Sequence, residues 1–407
     1  MKGQRTGGLA VSLVLAIACL TGAADDFHFQ AAGPVGLTYV GMYYGLVDPN
    51  GSSWYTATDI LGGLSTTWFA VVDTGASACL LGATTRDQYD SPGIPLQPYP
   101  AAKFTDEGFG GTEDFSVTKP VRLMLAGQAA VDPNNTEDHS VFTAYGPVGG
   151  GSPPSMTMAV SRHPTDPNTV DVDIIGMSIL EGRVLHVDPQ DLGILRWMLL
   201  TAAGSLDDTP PPPGPKVLYM PVSMQDFFQT AQAVDVAKHA MLPMHLRNEA
   251  SDLYATRTAF FDSGSPVNFV SESFAVAAGI DPNDPNDLTI LVQGIGPGVT
   301  YRPGYYVDAL ALELGNGRAG DKFVISNTAV FIIPDANMPG GLDAILGAGV
   351  FSQSSWLVDT TVDDWYLDTR DPNSAYLVVA LPEPATPAIL AFVSLALFGR
   401  RRARRRT

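Results

Sequence analysis

The sequence predicts an all-β protein made of two related lobes with a cleft between them. Three observations lead to this prediction. The chain has 41 glycines and 32 prolines among 407 residues and few long helical patterns, which indicates many turns and short strands. A motif of apolar residues followed by aspartate, a small hydroxyl residue and glycine occurs twice. Further segments follow each copy in the same order, which indicates that one unit has been duplicated.

The first copy of the motif is Phe69 to Ser77, with the sequence FAVVDTGAS. A short apolar run that ends at a glycine is typical of a buried strand followed by a tight turn. Asp73 would then lie at the end of a buried strand, where a carboxylate is costly unless hydrogen bonds or a shared proton stabilise it. Taken alone, this copy is equally consistent with a turn in which Asp73 caps its own loop.

The second copy is Thr258 to Ser265, with the sequence TAFFDSGS, and it brings in a second aspartate, Asp262. Two carboxyl groups about 3 Å apart cannot both ionise, so Asp73 and Asp262 would share one proton if their loops meet. One of them could then act as a general base towards a water molecule, and the other as a general acid.

The residues next to each aspartate fit such a meeting of loops. The hydroxyl groups of Thr74 and Ser263 can form hydrogen bonds to the opposite loop. Gly75 and Gly264 permit tight turns and a close approach of the other copy.

Two more segments repeat after each aspartate. A glycine-rich segment contains Phe109 and Gly110 in the first half, and another contains Ile295 and Gly296 in the second. An apolar-apolar-glycine segment then follows, as Ile174-Ile175-Gly176 and as Ile345-Leu346-Gly347. The identical order in both halves strongly favours duplication.

These motifs resemble those of the aspartic proteases. The Asp-Thr-Gly-Ala sequence is similar to the retropepsin-like form, and two copies in one chain resemble the pepsin-like bilobal arrangement. The resemblance extends from about Leu37 to Leu381. It implies that Asp73 and Asp262 are the catalytic pair and that Thr74 and Ser263 tie their loops together.

The resemblance also assigns supporting roles. It implies that Ser265 hydrogen-bonds an outer carboxylate oxygen, and that Phe109, Gly110, Ile295 and Gly296 are candidates for the flaps over the cleft. The chain departs from pepsin-like enzymes in having Ala76 where they have serine or threonine, and in lacking their disulfides and a clear flap tyrosine.

The two ends of the chain predict export. Residues 1–24 have Lys2 and Arg5, an apolar run and then small residues, which is typical of a signal peptide removed by signal peptidase. A lipoprotein signal that uses Cys19 is the alternative. Pro382-Glu383-Pro384 precedes a short apolar segment and six arginines, an order that resembles the PEP-CTERM sorting signal of Gram-negative bacteria.

That resemblance implies an exosortase-like partner and a transient membrane anchor before release at the cell surface or into the extracellular matrix. A tail anchor is the alternative, since the apolar segment is short for a stable span of about 20 residues. The predicted organisation is therefore a signal peptide at 1–24, a lobe at 25–200, a proline-rich linker at 201–216, a lobe at 217–381 and a sorting segment at 382–407.

Composition excludes several other functions. The formal charge of −19 argues against nucleic-acid binding, which requires a basic surface. The six histidines lack metal-binding spacing, and we expect neither a metal nor another cofactor. The acidic loop from Asp281 to Asp287 could hold Ca²⁺ through its oxygens, but it lacks the glycine and terminal glutamate of an EF-hand, which favours a solvated loop. Cys79 lies in an apolar context and is interpreted as a buried structural residue. Phe227 to Met241 is the best helix candidate outside the two ends.

The sequence thus predicts an exported, monomeric aspartic endopeptidase that acts on a peptide or protein substrate. The alternative is a surface protein that binds or supports other molecules and retains the fold without turnover.

Overall fold

The structure is a computed structural model. It describes residues 26–30, 40–58, 63–89, 93–108, 111–127, 130–132, 135–164, 171–188, 201–203, 206, 208–214, 216–227, 231–248, 253–283, 289–293, 299–315, 320–352 and 364–381. The predicted signal peptide at 1–24 and the predicted sorting and membrane segment at 382–407 lie outside these residues. No helix within the described ranges is long and apolar enough to cross a membrane.

Strands dominate the described residues. The strands of the first half are β1 (Asp26–Gln30), β2 (Val40–Val47), β3 (Ala57–Thr58), β4 (Leu64–Ser65), β5 (Trp68–Val72), β6 (Leu80–Leu81), β7 (Phe104–Gly108), β8 (Gly111–Val117), β9 (Arg122–Gly127), β10 (Thr143–Tyr145), β11 (Ala159–Val160), β12 (Ile174–Ile175), β13 (Val184–Asp188) and β14 (Thr201–Ala203). The strands of the second half are β15 (Val217–Gln225), β16 (His239–Asn248), β17 (Leu253–Asp262), β18 (Asn268–Ser271), β19 (Thr289–Gln293), β20 (Val299–Glu313), β21 (Lys322–Ile333), β22 (Ala344–Gly347), β23 (Asp364–Asp368) and β24 (Ala375–Ala380).

The helices are short. The α-helices are α1 (Ala83–Gln88), α2 (Met177–Leu180) and α3 (Glu272–Ala277), and 3-10 turns occur at His139–Val141, Asp335–Asn337, Pro339–Gly341 and Ala348–Ser352. The prediction of a helix from Phe227 to Met241 is wrong for those of its residues that the structure describes. Residues 231–238 form an irregular loop, and β16 begins at His239. Tertiary contacts override helical propensity here, because Val234 packs against Phe104 and Phe115 of the first half.

The two halves repeat one topology around each aspartate. In the first, β5 pairs parallel with β12, β12 pairs antiparallel with β6, and β6 pairs parallel with β11. In the second, β17 pairs parallel with β22, β22 pairs antiparallel with β18, and β18 pairs parallel with β21. The chain is therefore all-β and built from two equivalent lobes, as the sequence predicts.

A sheet shared by both lobes joins them. Its order is β2, β14, β13, β23, β24 and β15, and its central contact is the antiparallel pairing of β13 with β23. Residues 201–203, at the start of the predicted linker, are thus a strand of this sheet rather than linker. His186 reinforces the junction, because its Nδ1 lies 2.8 Å from Asp208 and its Nε2 lies 2.9 Å from Asp364.

One apolar core runs beneath the shared sheet. Phe261, which precedes Asp262, packs against Phe351 and edge-on against Trp365, and all three are fully buried. Burial of large aromatic side chains dominates core energetics. The strand that delivers the second aspartate is therefore held by the centre of the core.

Candidate active site

The loops that carry Asp73 and Asp262 meet at the boundary between the lobes. Thr74 Oγ1 donates a hydrogen bond to the carbonyl oxygen of Phe261 at 2.9 Å. Thr74 Oγ1 also accepts a hydrogen bond from the backbone N–H of Ser263, again at 2.9 Å. One threonine hydroxyl thereby satisfies two backbone groups of the opposite loop.

Ser263 makes the mirror-image contacts. Its Oγ donates to the carbonyl oxygen of Val72 at 2.7 Å and accepts the backbone N–H of Thr74 at 3.0 Å. Both hydroxyl residues are 0% exposed. Since a buried polar group is costly unless it is hydrogen-bonded, this reciprocal network fixes the relative position of the two loops.

Backbone N–H groups orient both carboxyl groups. Asp73 Oδ1 accepts the N–H of Gly75 at 2.7 Å. Asp262 Oδ1 accepts the N–H of Gly264 at 2.9 Å and that of Ser265 at 3.0 Å. The two carboxyl groups lie next to each other, since a Cβ atom on Gly75 would be 2.6 Å from Asp262 Oδ1 and 2.8 Å from Asp73 Oδ1. Two carboxyl groups so close together can share one proton.

Burial and proximity raise the pKa of both groups. Burial is the main cause for Asp73, and hydrogen bonds from Asp262 and Gly75 oppose it in part. Burial also raises the pKa of Asp262 well above its usual range, and the charge of Asp73 raises it further. The pair therefore holds one proton over a range of pH in which isolated carboxyl groups would both be ionised.

Glycine is required beside each aspartate because the opposite carboxyl group comes so close. A Cβ atom on Gly75 would lie 2.6 Å from Asp262 Cγ, and one on Gly264 would lie 2.5 Å from Asp73 Cγ. Real Cβ atoms do not approach other atoms so closely. Any larger residue would push the aspartates apart.

The apolar-apolar-glycine segments lie beneath the aspartate loops. Ile174 and Ile175 pair with the strand that leads to Asp73, and Gly347 pairs directly with Asp262. A Cβ on Gly176 would lie 2.1 Å from the carbonyl oxygen of Ala78, and one on Gly347 would lie 2.2 Å from that of Val267. Each glycine lets its strand lie directly against the turn that follows an aspartate.

Ser265 makes a contact different from the one that the resemblance implies. Its hydroxyl group donates to the carbonyl oxygen of Val267 at 2.7 Å, while its backbone N–H bonds Asp262. The side chain therefore stabilises the turn after the motif, and only the main chain contacts the carboxylate.

The flap candidates Phe109, Gly110, Ile295 and Gly296 lie outside the described residues. The strands on either side of them form hairpins. Gly108 pairs with Gly111 at the end of the β7–β8 hairpin, and Gln293 pairs with Val299 at the end of β19–β20.

Asp106 on β7 is a titratable residue near the pair that belongs to no motif of the sequence. Burial raises its pKa to about 6, and the negative charge of Asp73 contributes in the same direction. Alternation along the strand could have identified it, since Phe104 predicts an inward position and Asp106 is two residues further on.

His239 is a second residue near the pair that sequence reasoning missed. It is 4% exposed, and its Nδ1 donates to the carbonyl oxygen of Thr74 at 3.2 Å. Burial lowers its pKa to about 4, so the ring is neutral above that pH. No local motif identifies it, because a long-range contact between the lobes creates its position.

The remaining candidates for chemistry are structural. The sulfur of Cys79 is buried, as predicted, and accepts hydrogen bonds from Gly176 N at 3.4 Å and Ser178 Oγ at 3.5 Å. Burial raises its pKa to about 11, which disfavours the reactive thiolate. Within the described residues, no cluster of histidine, cysteine or acidic side chains is arranged to hold a metal ion.

Comparison with known proteins yields structural neighbours alone. No protein-family model matches the chain, and no curated protein matches it. The structure is similar to that of basic 7S globulin from soybean, with 11% identity, 85% of this chain and 95% of that chain covered and a TM-score of 0.44. It is likewise similar to an aspartic proteinase from Irpex lacteus, with 13% identity, 88% and 99% coverage and a TM-score of 0.44.

A retropepsin-like aspartic protease from Rickettsia conorii matches a smaller part, with 9% identity. The match covers 35% of this chain and 92% of the Rickettsia conorii chain, with a TM-score of 0.21. At such identities and TM-scores the neighbours carry no functional assignment, and the evidence for one is the geometry of Asp73 and Asp262.

Proposed function

We propose that this protein is an aspartic endopeptidase in which Asp73 and Asp262 activate a water molecule to hydrolyse peptide bonds. The observation that supports this most strongly is the contact between the two carboxyl groups. Reciprocal hydrogen bonds of Thr74 and Ser263 hold their loops together, and each carboxyl group accepts backbone N–H groups from its own turn.

The chemistry follows from one proton shared by two carboxyl groups. The ionised carboxylate removes a proton from a water molecule, whose oxygen attacks the carbonyl carbon of the substrate. The protonated carboxyl group gives its proton to the carbonyl oxygen, which yields a neutral tetrahedral intermediate. When the C–N bond breaks, the carboxyl group that took the proton from water gives it to the nitrogen, and one hydroxyl group of the intermediate returns a proton to the other carboxylate. The products are a carboxylic acid and an amine, and the pair again holds one proton. Both aspartates are needed, because one group cannot be base and acid in the same step.

The raised pKa values of Asp73 and Asp262 define the pH range in which the protein should be active. Activity requires the singly protonated pair, so it falls when acid protonates both carboxyl groups and when base ionises both. Since the pKa of Asp262 is raised well above its usual value, the upper limit lies above the pH at which isolated carboxyl groups ionise.

The test is digestion of a mixed peptide library by the purified full-length chain from about pH 3 to about pH 8, in water enriched in the heavy oxygen isotope. We expect internal cleavages with heavy oxygen in each new carboxyl group, and no effect of a metal chelator. Absence of cleavage at every pH would contradict the proposal and favour a surface protein that binds other molecules without turnover.

We also propose that the protein is exported and sorted to the cell surface or extracellular matrix. The support is in the sequence of the two ends, with a signal-like segment at 1–24 and the Pro-Glu-Pro, apolar and arginine order at 382–407. Signal peptidase and an exosortase-like enzyme would then be processing partners.

A further inference from the structure

The β7–β8 hairpin presents two acidic residues on the face that lies towards the first aspartate loop. Phe104 pairs with Phe115, and Asp106 pairs with Glu113. Directly opposed residues in an antiparallel pair share a face, as do residues two apart in a strand. Phe104 and Phe115 are buried against Ala78, just beyond the Asp73 loop, and therefore identify this face as the inner one.

The two acidic residues differ in what they contact. Glu113 has a side chain that is 9% exposed, lies 3.2 Å from His163 Nε2 and accepts a hydrogen bond from Ser161 Oγ at 3.4 Å. Asp106 accepts the backbone N–H of Glu107 at 2.9 Å. Within the described ranges, no lysine or arginine forms an ion pair with it.

The surroundings of Asp106 are predominantly negative. Asp73 and Glu107 both raise its pKa, after the larger effect of burial, and Glu113 is opposite it. The loop 231–238 that packs against the hairpin adds two charges. One is Asp235, whose carboxylate accepts hydrogen bonds from Thr157. The other is Lys238, which forms no ion pair with another described residue.

The hairpin also reaches the second lobe. β7 contacts the turn Pro339–Gly341, which belongs to the lobe of Asp262. The hairpin therefore contacts both lobes, and Asp106 lies on its inner face, close enough to Asp73 for the charge of that aspartate to raise its pKa.

We propose that Asp106 is a specificity-determining residue, which binds a lysine or arginine side chain of the substrate next to the scissile bond. This inference rests on the proposed peptidase function. A substrate cation would supply the partner that Asp106 lacks in the protein. A half-buried carboxylate near other negative charges favours a cation over a neutral apolar side chain.

The preference depends on pH in a defined direction. The pKa of Asp106 is about 6, so the group is neutral in acid and ionised above that value. The preference for a cationic side chain should therefore be weak at low pH and increase as the pH rises through about 6. A bound cation would itself favour the ionised form and move this increase to somewhat lower pH.

The experiment compares two peptides that differ in one residue next to the cleaved bond, lysine in one and methionine in the other. The measured quantity is the ratio of their kcat/KM values. At about pH 7 we expect wild-type protein to prefer lysine by roughly tenfold, the size expected for one charge-assisted hydrogen bond. Asp106→Asn should remove most of that preference. Asp114→Asn is the matched control, because Asp114 lies on the same hairpin, is paired with Thr105 on the opposite face and forms an ion pair with Lys103.

The possible outcomes distinguish a failure of this inference from a failure of the proposed peptidase function. Cleavage of both peptides with equal kcat/KM in wild-type protein would overturn the inference and leave the peptidase assignment intact. An equal loss for both peptides in Asp106→Asn would overturn it too, because the residue would then act on the aspartate pair. No cleavage of either peptide would overturn both. The pH dependence of the wild-type ratio needs no variant, so it tests the inference even if Asp106→Asn does not fold.

Discussion

Thr74 and Ser263 each place a hydroxyl group between two backbone groups of the opposite loop, with four hydrogen bonds of 2.7 to 3.0 Å in total. These contacts cross from one lobe to the other at the point where Asp73 and Asp262 meet. The alignment of the aspartate pair is thus a property of the contact between lobes, and neither lobe supplies it alone.

Removal of the Thr74 hydroxyl group should destabilise the protein. Thr74→Val would leave the Ser263 N–H and the Phe261 carbonyl oxygen buried without their partner, at a cost of roughly 2 to 4 kcal/mol. Thr74→Ser keeps the hydroxyl group and is the control. Urea unfolding followed by tryptophan fluorescence gives both free energies. Equal values for the two variants would show that the hydrogen bonds do not stabilise the contact.

An added methyl group beside either aspartate should separate the carboxyl groups. Gly264→Ala would place a Cβ 2.5 Å from Asp73 Cγ, so the loops must move apart. A displacement of about 1 Å in a catalytic group can cost on the order of 100-fold in rate, and we expect at least that loss in peptide cleavage. Gly214→Ala is the control, because the nearest atom to its Cβ is 4.0 Å away. Full activity of Gly264→Ala would contradict the observed approach of the loops.

Asp173 should make the protein more stable in mild acid than at neutral pH. Its carboxylate accepts hydrogen bonds from Tyr44, Thr85 and Gly82, but burial dominates and raises its pKa from 3.8 to about 6. Folding therefore favours the protonated form. The stabilisation is fully present below about pH 4 and is lost as the pH rises through about 6.

A shift of this size corresponds to at most about 3 kcal/mol. Asp173→Asn should therefore flatten the decrease of melting temperature between about pH 4 and about pH 7. Part of the decrease should remain, because Asp73, Asp106 and Asp262 have pKa values raised in the same direction. An unchanged slope in calorimetry at several pH values would show that the carboxyl group is ionised in the folded protein.

Much of this site could be predicted from local sequence. Each of Asp73 and Asp262 follows a short apolar run and is followed two residues later by glycine. The run predicts a buried strand and the glycine predicts a tight turn, and both predictions depend only on residues that are adjacent in the sequence. The duplicated order of segments also predicted two equivalent lobes, which the pairings of β5 with β12 and β17 with β22 confirm.

Other features depend on long-range contacts and could not be predicted in this way. The helix expected from Phe227 to Met241 was wrong because residues 231–238 pack on the other lobe, as the hydrogen bond from Ala237 N to the Ser77 carbonyl oxygen shows. Asp106 and His239 approach the aspartate loops only after the hairpin and the lobes have assembled. Alternation along β7 predicts that Asp106 faces inward but not that it approaches Asp73, and no local pattern identifies His239.

The mature protein should lack the arginine-rich end. The Pro382-Glu383-Pro384 sequence, the apolar segment and the six arginines predict removal of everything beyond about Glu383 during sorting. Intact mass of protein from the surface fraction of the source cell measures this directly. Recovery of the full arginine cluster in that fraction would favour a tail anchor instead.

The central claim is that Asp73 and Asp262 act as one acid–base pair. The most direct measurement is peptide cleavage by Asp73→Asn and Asp262→Asn, each compared with wild-type protein in the same preparation and checked for folding by circular dichroism. An asparagine amide can act neither as the general base that deprotonates water nor as the general acid that protonates the substrate. Each single substitution should therefore reduce kcat/KM by at least about 1,000-fold with little change in folding. Wild-type turnover in either folded variant would contradict the account.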